Sequence, residues 1–343
     1  MRLLNIMLAK VRGGIETMSL RYHEALKASG ADVLSLGHPQ GVLAQHLPDT
    51  EFRAMNASVN HDPFAAFLLR RIALDFKPDL ILTHGNRATS IALMPFVGVA
   101  DKTVQVVHNF RHKPQVSRLK AAICVSGAVH ASLAQAHPKL PLYEVANFGP
   151  LNVRPVKPAP TGMVTLGLLG RLHVNKGFDV MIRALAILRA GGADVRLNIA
   201  GDGPLKAELI QLTQALGLTD HIAFCGWAAQ PADFLQGLDL FILPSRIEPF
   251  GLVVTESMAA GVPVIATHID GPAEILQGGA FGILCTPNDP QALANAIRSA
   301  MLDWAGTLSV AKAAQAYALS RFSPEAGQAR LNAALQQIVQ NHP

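Results

Sequence analysis

The sequence predicts two α/β domains, each a doubly wound parallel sheet, and three observations carry that prediction. Short, nearly continuous apolar runs alternate with stretches of helical spacing along the whole chain, as expected for strands buried on both faces beneath covering helices. The alternation is interrupted between residues 147 and 162 by Pro150, Pro155, Pro158 and Pro160, which disfavour helix and strand alike and suit a hinge. Half of the 343 residues are hydrophobic and 15% are charged, so the chain is globular and long enough to give each domain a sizeable core.

In the first half, strands are expected at residues 3–9, 33–36, 80–83, 104–107 and 121–125, with helices at about 16–29 and 64–76. The opening run is short and lacks a small-residue cleavage site before Lys10, so it reads as a strand and not as a signal peptide. No run approaches the roughly 20 apolar residues needed to span a bilayer. Cys124, Cys225 and Cys285 lie far apart without metal-ligand spacing and read as reduced core residues of a cytosolic protein. In the second half, strands are expected at 164–169, 195–200, 222–225, 240–243, 264–266 and 281–284, with helices at 178–189, 205–216, 290–301 and 309–317. A short helix starts near Leu252 and ends before Gly261 and Pro263, and a last helix covers 324–339. The domains so read are 1–155 and 156–322, followed by a terminal segment, 323–343.

In parallel sheets of this kind ligands bind beyond the carboxyl ends of the strands, so the loops there are where chemistry is expected. The most informative follows the strand at 240–243: Glu248, Pro249, Phe250 and Gly251 lead into the helix at Leu252, with Glu256 one turn inside it. The first amide N–H groups of a helix, with its dipole, attract an anion such as phosphate. Carboxylates are poor phosphate ligands but good acceptors for hydroxyls. Together they suggest a diphosphate with a sugar at one end and a ribose at the other. Arg171 and Lys176, bracketed by Gly170 and Gly177 at another strand end, suit an anion site better than ordinary surface. Gly201, Asp202 and Gly203 form a tight turn, and Trp227 is either core or a site residue. Gly13 and Gly14 are too few for a dinucleotide fingerprint and fit an ordinary strand-to-helix turn equally well. His108, directly after a strand, taken alone would be a strand-end cap.

The charge is divided unevenly: residues 1–155 hold 17 Lys and Arg against 10 Asp and Glu, whereas the remainder holds 12 against 14. That excess fits an anionic partner for the first half, or a solvated surface. Arg111, Lys113, Arg118 and Lys120, with Arg70 and Arg71, could face lipid headgroups or simply solvent.

The pattern of strand, Glu-Pro-Phe-Gly-Leu, helix and second Glu, with seven residues between Glu248 and Glu256, closely resembles the signature of retaining glycosyltransferases of family 4. Gly170-Arg171-Leu172 through Lys176-Gly177, Gly201-Asp202-Gly203-Pro204 and Gly271 to Glu274 follow in that family's order, so the resemblance is strong in the C-terminal half and weak before it. It implies the GT-B fold, two doubly wound Rossmann-like domains facing a central cleft, with the last helix crossing back to the first domain. It also implies transfer of a hexose from a nucleoside diphosphate sugar. In that reading His108 contacts the transferred sugar and Glu248 accepts its hydroxyls. Gly14, Arg171, Lys176, Phe250, Gly251, Leu252 and Val253 hold the diphosphate, and Glu256 holds the ribose. Gly201, Trp227 and Ala228 lie on the nucleobase side, while Gly13, Arg87 and Arg111 lie on the acceptor side. Glu248 as a covalent nucleophile is less attractive than same-face attack within an ion pair.

No metal or other cofactor is expected: the chain has no Asp-x-Asp triplet, and the family usually neutralises the diphosphate with cationic side chains. The expected partners are the donor, a glycan or lipid-linked acceptor and the anionic inner face of a bacterial membrane, where such enzymes build lipopolysaccharide or other polysaccharide; nucleic acid is not expected. The corresponding location is the cytoplasm, with peripheral attachment to that membrane. The rival readings are a GT-B phosphorylase or epimerase and an inactive glycosyltransferase-like binding protein. A nicotinamide oxidoreductase is disfavoured because no Gly-x-Gly-x-x-Gly follows either first strand.

Overall fold

Both halves of the chain are parallel sheets between helices. The computed structural model describes residues 1–10, 13–228 and 230–341. It falls into two units, Met1–Gly149 together with the segment from Phe322 onward, and Pro150–Arg321. In the first unit the strands are β1 (Arg2–Met7), β2 (Asp32–Gly37), β3 (Phe52–Ala54), β4 (Leu80–His84), β5 (Thr103–Val107), β6 (Ala121–Cys124) and β7 (Leu142–Glu144). Its helices are α1 (Gly14–Ala28), α2 (Val42–His46), α3 (Pro63–Phe76), α4 (Asn86–Ala92) and α5 (Gly127–Ala136). The second unit contains β8 (Val164–Leu169), β9 (Val195–Ala200), β10 (Ile222–Gly226), β11 (Leu240–Leu243), β12 (Val264–Thr267) and β13 (Ile283–Cys285). Its helices are α6 (Phe178–Ala190), α7 (Lys206–Ala215), α8 (Pro231–Gln236), α9 (Leu252–Ala259), α10 (Asp270–Ile275), α11 (Pro290–Leu302) and α12 (Trp304–Phe322). Helix α13 (Pro324–Asn341) returns to the first unit.

The first sheet has the order β3-β2-β1-β4-β5-β6-β7 and the second β10-β9-β8-β11-β12-β13. In each the chain starts in the middle, runs to one edge and returns to build the other. The direction of winding therefore reverses between β1 and β4 and between β8 and β11, the switch points beside which open sheets bind ligands. The central strands are buried on both faces: Leu240–Leu243 is wholly apolar, and Leu80–His84 is apolar up to Thr83 and His84. In the second unit Leu166, Leu168, Leu197, Ile199 and Ile242 pack with Met181, Leu185 and Leu188 of α6 and with Ile297 of α11.

The expected strands and longer helices are present within a few residues, and β8, β9 and β11 have the expected bounds. Most elements absent from the expectation are short: β3 and β7 have three residues each at sheet edges, and α2, α4, α8 and α10 have five to seven, while α5 has ten but buries only Val129 and Leu133. Too few side chains lie on either face of such segments to produce a visible period. The run at 309–317 extends backwards in α12 to Trp304, because the Asp303 carboxylate caps the amide of Gly306 at 2.9 Å in its first turn.

The chain leaves and re-enters the first unit at adjacent points, where the Gly149 amide donates to the Phe322 carbonyl at 3.1 Å. Gly327 of α13 lies so close to Phe148 that a Cβ would come within 1.9 Å of its ring. Among the described residues no helix is long and apolar enough to cross a membrane.

Candidate active site

The loops that follow β8, β9 and β11 are packed backbone against backbone, and glycines make this possible. A Cβ on Gly177 would lie 2.0 Å from the Pro244 carbonyl oxygen, and one on Gly201 would lie 1.8 Å from that of Gly170. A Cβ on Gly271 would lie 2.3 Å from the Phe250 carbonyl oxygen. Gly251 differs: space exists around it, and its φ of +104° is the reason for glycine there. It is the N-cap of α9, and the first bond within that turn runs from the Val254 amide to the Gly251 carbonyl at 2.9 Å, so the Leu252 and Val253 amides lie ahead of it. Gly261, at φ +69°, ends the helix as expected.

Lys176 and Glu248 meet across these loops. The Lys176 Nζ donates to Glu248 Oε2, joining two residues expected to serve different parts of a ligand. Glu248 is only 7% exposed, whereas Lys176 is half-buried. A buried carboxylate needs a cation or donors beside it, and Lys176 supplies both. Arg171 is exposed in the same loop as Lys176, and Glu256 is half-buried in α9. Phe250 has a buried ring at 4% exposure, so its backbone is the part nearest Gly271. Trp227 is not a core residue: it is 59% exposed in the loop after β10, next to half-buried Ala228. The Gly201 amide donates to the Gly226 carbonyl at 2.7 Å, which ties that loop to the end of β9.

Two features here were not legible in the sequence. Arg246 forms a bidentate pair with Asp179 at 2.8 and 2.7 Å, and also donates to the Val174 carbonyl at 2.8 Å. Its amide donates to the Asn175 carbonyl at 2.7 Å, so this one residue clamps the Lys176 loop to the Glu248 loop. Burial opposes the charge on Asp179, but the Arg246 hydrogen bonds and charge outweigh it and hold the carboxyl below its usual range. Asp270, at φ +26°, begins α10, and burial together with the Glu248 charge raises its pKa. No motif announced either residue, because each acts through a contact distant in sequence.

In the first unit His108 follows β5 and its Nε2 lies 3.1 Å from His84 Nδ1 at the end of β4. His84 Nε2 lies 2.9 Å from Asn5 Oδ1 in β1. Burial lowers the pKa of both histidines, and the proximity of His108 adds to the effect on His84. Arg87 and Arg111 are both exposed and share a linker, since Asn86 takes a hydrogen bond from Gln105 at 3.2 Å and donates to the Arg111 carbonyl at 3.3 Å. The Arg87 guanidinium donates to the Ala57 carbonyl at 3.1 Å. Gly13 is the extended N-cap of α1 and Gly14 its first residue, so this helix starts two residues before the sequence suggests. A Cβ on Gly13 would lie 2.8 Å from a Glu16 carboxylate oxygen, and burial raises the Glu16 pKa.

Two Rossmann-like parallel sheets, each with its ligand-side loops at a switch point, are the sheets of the GT-B fold. Residues 152–318, nearly all of the second unit, match the family model of glycosyl transferases group 1. The chain is 29% identical over 237 residues to the lipopolysaccharide core biosynthesis glycosyltransferase LpsD of Rhizobium meliloti, covering 67% of each protein. Among solved structures, Alr3699/HepE of Anabaena in complex with UDP and glucose matches with a TM-score of 0.81 at 23% identity, over 98% of this chain and 99% of that one. The lipopolysaccharide outer core galactosyltransferase WaaB matches with a TM-score of 0.76 at 16% identity, over 98% and 99%.

Proposed function

We propose that the chain is a retaining hexosyltransferase whose donor is a nucleoside diphosphate sugar and whose acceptor is a lipid-linked glycan of the bacterial cell surface. The observation that carries this reading is the Lys176–Glu248 pair beside the start of α9, with Arg171 exposed in the same loop as Lys176. In the reaction the bond from the anomeric carbon to the diphosphate oxygen breaks, and the diphosphate leaves with both electrons. Arg171, Lys176 and the Leu252 and Val253 amides stabilise the charge that develops on it. The acceptor oxygen attacks the same face, and its proton passes to the departing phosphate oxygen. Glu248 holds the sugar hydroxyls, Glu256 the ribose, and Trp227 offers an exposed ring on the nucleobase side. UDP and glucose in the Anabaena protein, and lipopolysaccharide core assembly by the Rhizobium relative, support the donor and acceptor classes.

The face of α3 supports a lipid-borne acceptor. Phe64, Phe67 and Leu74 are 86%, 65% and 62% exposed, with Arg70 and Arg71 exposed on the same helix. Apolar side chains flanked by cations suit the boundary of an anionic bilayer, where each base near the surface contributes about 1 kcal/mol. The test is a panel of UDP-, GDP- and ADP-sugars, scored for hydrolysis alone and for transfer to lipid-linked glycan in anionic vesicles. One donor is expected to be turned over, with transfer exceeding hydrolysis. Phosphorolysis or epimer formation without an acceptor, or no turnover of any donor, would contradict the reading.

A further inference from the structure

We infer that Asn5 and His84 fix His108 as its Nε2–H tautomer, so that Nδ1 of His108 is left as a hydrogen-bond acceptor for a sugar hydroxyl. The assignment rests on a chain of contacts in the core of the first unit in which each group's role is forced by the one before it.

The chain starts from an atom that can only accept. The Ser19 backbone carbonyl lies 3.0 Å from the Asn5 side-chain nitrogen, and an amide oxygen in that position would face it lone pair to lone pair. This sets the orientation of the Asn5 amide. Its second N–H points to Ser35 Oγ, also at 3.0 Å, and its oxygen lies 2.9 Å from His84 Nε2. His84 Nε2 must therefore carry a proton. Neither ring nitrogen of His84 meets a carboxylate, and burial disfavours the imidazolium, so the ring is neutral and its Nδ1 holds a lone pair. That lone pair lies 3.1 Å from His108 Nε2, which must then be the donor. The two rings are inclined by only 28°, an arrangement that suits an N–H aimed along the neighbouring lone pair. Burial keeps His108 neutral as well, which leaves its Nδ1 unprotonated.

The other end of the chain agrees. His23 Nε2 lies 2.9 Å from the Glu51 carboxylate, so it donates there, and its Nδ1 accepts from the Ser35 hydroxyl at 2.9 Å. Ser35 thus accepts from Asn5 and donates to His23, with no conflict along the path. Tyr22 holds His84 in place from the side, edge-on at 5.1 Å, and is itself stacked on Phe148.

Asn5 and His84 are positioning residues in this scheme, acting through His108. The inference uses the proposed hexosyl transfer only for its consequence. An acceptor at Nδ1 draws on the proton of a sugar hydroxyl and leaves more electron density on that oxygen. This favours the positive charge that develops at the anomeric carbon as the diphosphate departs.

The test is ring-15N histidine NMR on the full chain without substrate, with the His108 signals assigned as those lost in His108→Gln. At pH 7 the expected spectrum has a pyrrole-type Nε2 and a pyridine-type Nδ1 for His108. The opposite pattern, or an average of both tautomers, would overturn the inference even if Asn5→Leu failed to fold. In Asn5→Leu the His108 pattern should move to a tautomer average while circular dichroism is unchanged, and kcat should fall at least about tenfold with KM for the donor little altered. A folded Asn5→Leu protein with the wild-type His108 pattern would remove the positioning role. The spectra are read without turnover, so a failure of the hexosyltransferase reading would leave the tautomer assignment standing.

Discussion

Lys176 and Glu248 partner each other in the folded chain and, in the proposed reaction, serve the diphosphate and the sugar. Their substitutions therefore mix stability with function. Lys176→Ala strands a carboxylate that is 7% exposed and is expected to destabilise the second unit by about 1–3 kcal/mol, as well as abolishing transfer. Arg171 separates the two effects because it is exposed. Arg171→Ala should leave the melting temperature almost unchanged, within about 0.5 kcal/mol, and weaken donor binding at least about tenfold. Calorimetric titration beside a thermal melt checks both, and an Arg171→Ala protein with wild-type donor affinity would remove that residue from the site. Arg246→Ala should act in the opposite way, lowering the melting temperature first, since it cuts the clamp to Asp179 that holds the two loops together.

At the scale of elements, the site is a set of loops whose closeness depends on missing side chains. Gly177→Ala would force a Cβ to within 2.0 Å of a carbonyl oxygen at φ +65°, so it is expected to cost more than about 2 kcal/mol and to displace Lys176. Gly162→Ala, where nothing lies within 4 Å, is the matched control and should melt like the wild type. Equal melting temperatures for the two variants would contradict this account of the loops. The strands that carry these loops were legible because buried parallel strands are continuous apolar runs, and α9 was bracketed by Gly251, Gly261 and Pro263. The Arg171–Lys176 and Glu248–Glu256 spacings were legible as motifs. Arg246 with Asp179, and Asn5 with His84, were not, because they join residues 67 and 79 positions apart and leave no local pattern. The Lys176–Glu248 contact joins residues 72 positions apart and is equally invisible to local pattern.

Across the whole molecule the two units differ in how they should respond to acid. His23 and His84 are each 1% exposed and their pKa values are lowered by burial. A lowered histidine pKa means that the unfolded chain binds more protons once the pH is below its own value, about 6.5. The contribution is thus fully present above that pH and is lost as the pH falls towards the folded-state pKa, by up to about 1.4 kcal/mol per pH unit for each group. Native-state hydrogen exchange at pH 7.5 and 5.5, corrected for intrinsic rates, should show β1 and β4 losing protection relative to β8 and β9. Equal losses in both sheets would contradict the neutral histidine chain. The central claim, that the second unit grips two linked phosphates with cationic side chains and a helix start, is tested most directly by titrating the full chain with UDP, GDP and ADP in excess EDTA. The account predicts saturable binding of at least one of them, weakened at least about tenfold in Arg171→Ala. Absence of binding for all three, or binding that returns only when a divalent metal is restored, would contradict it.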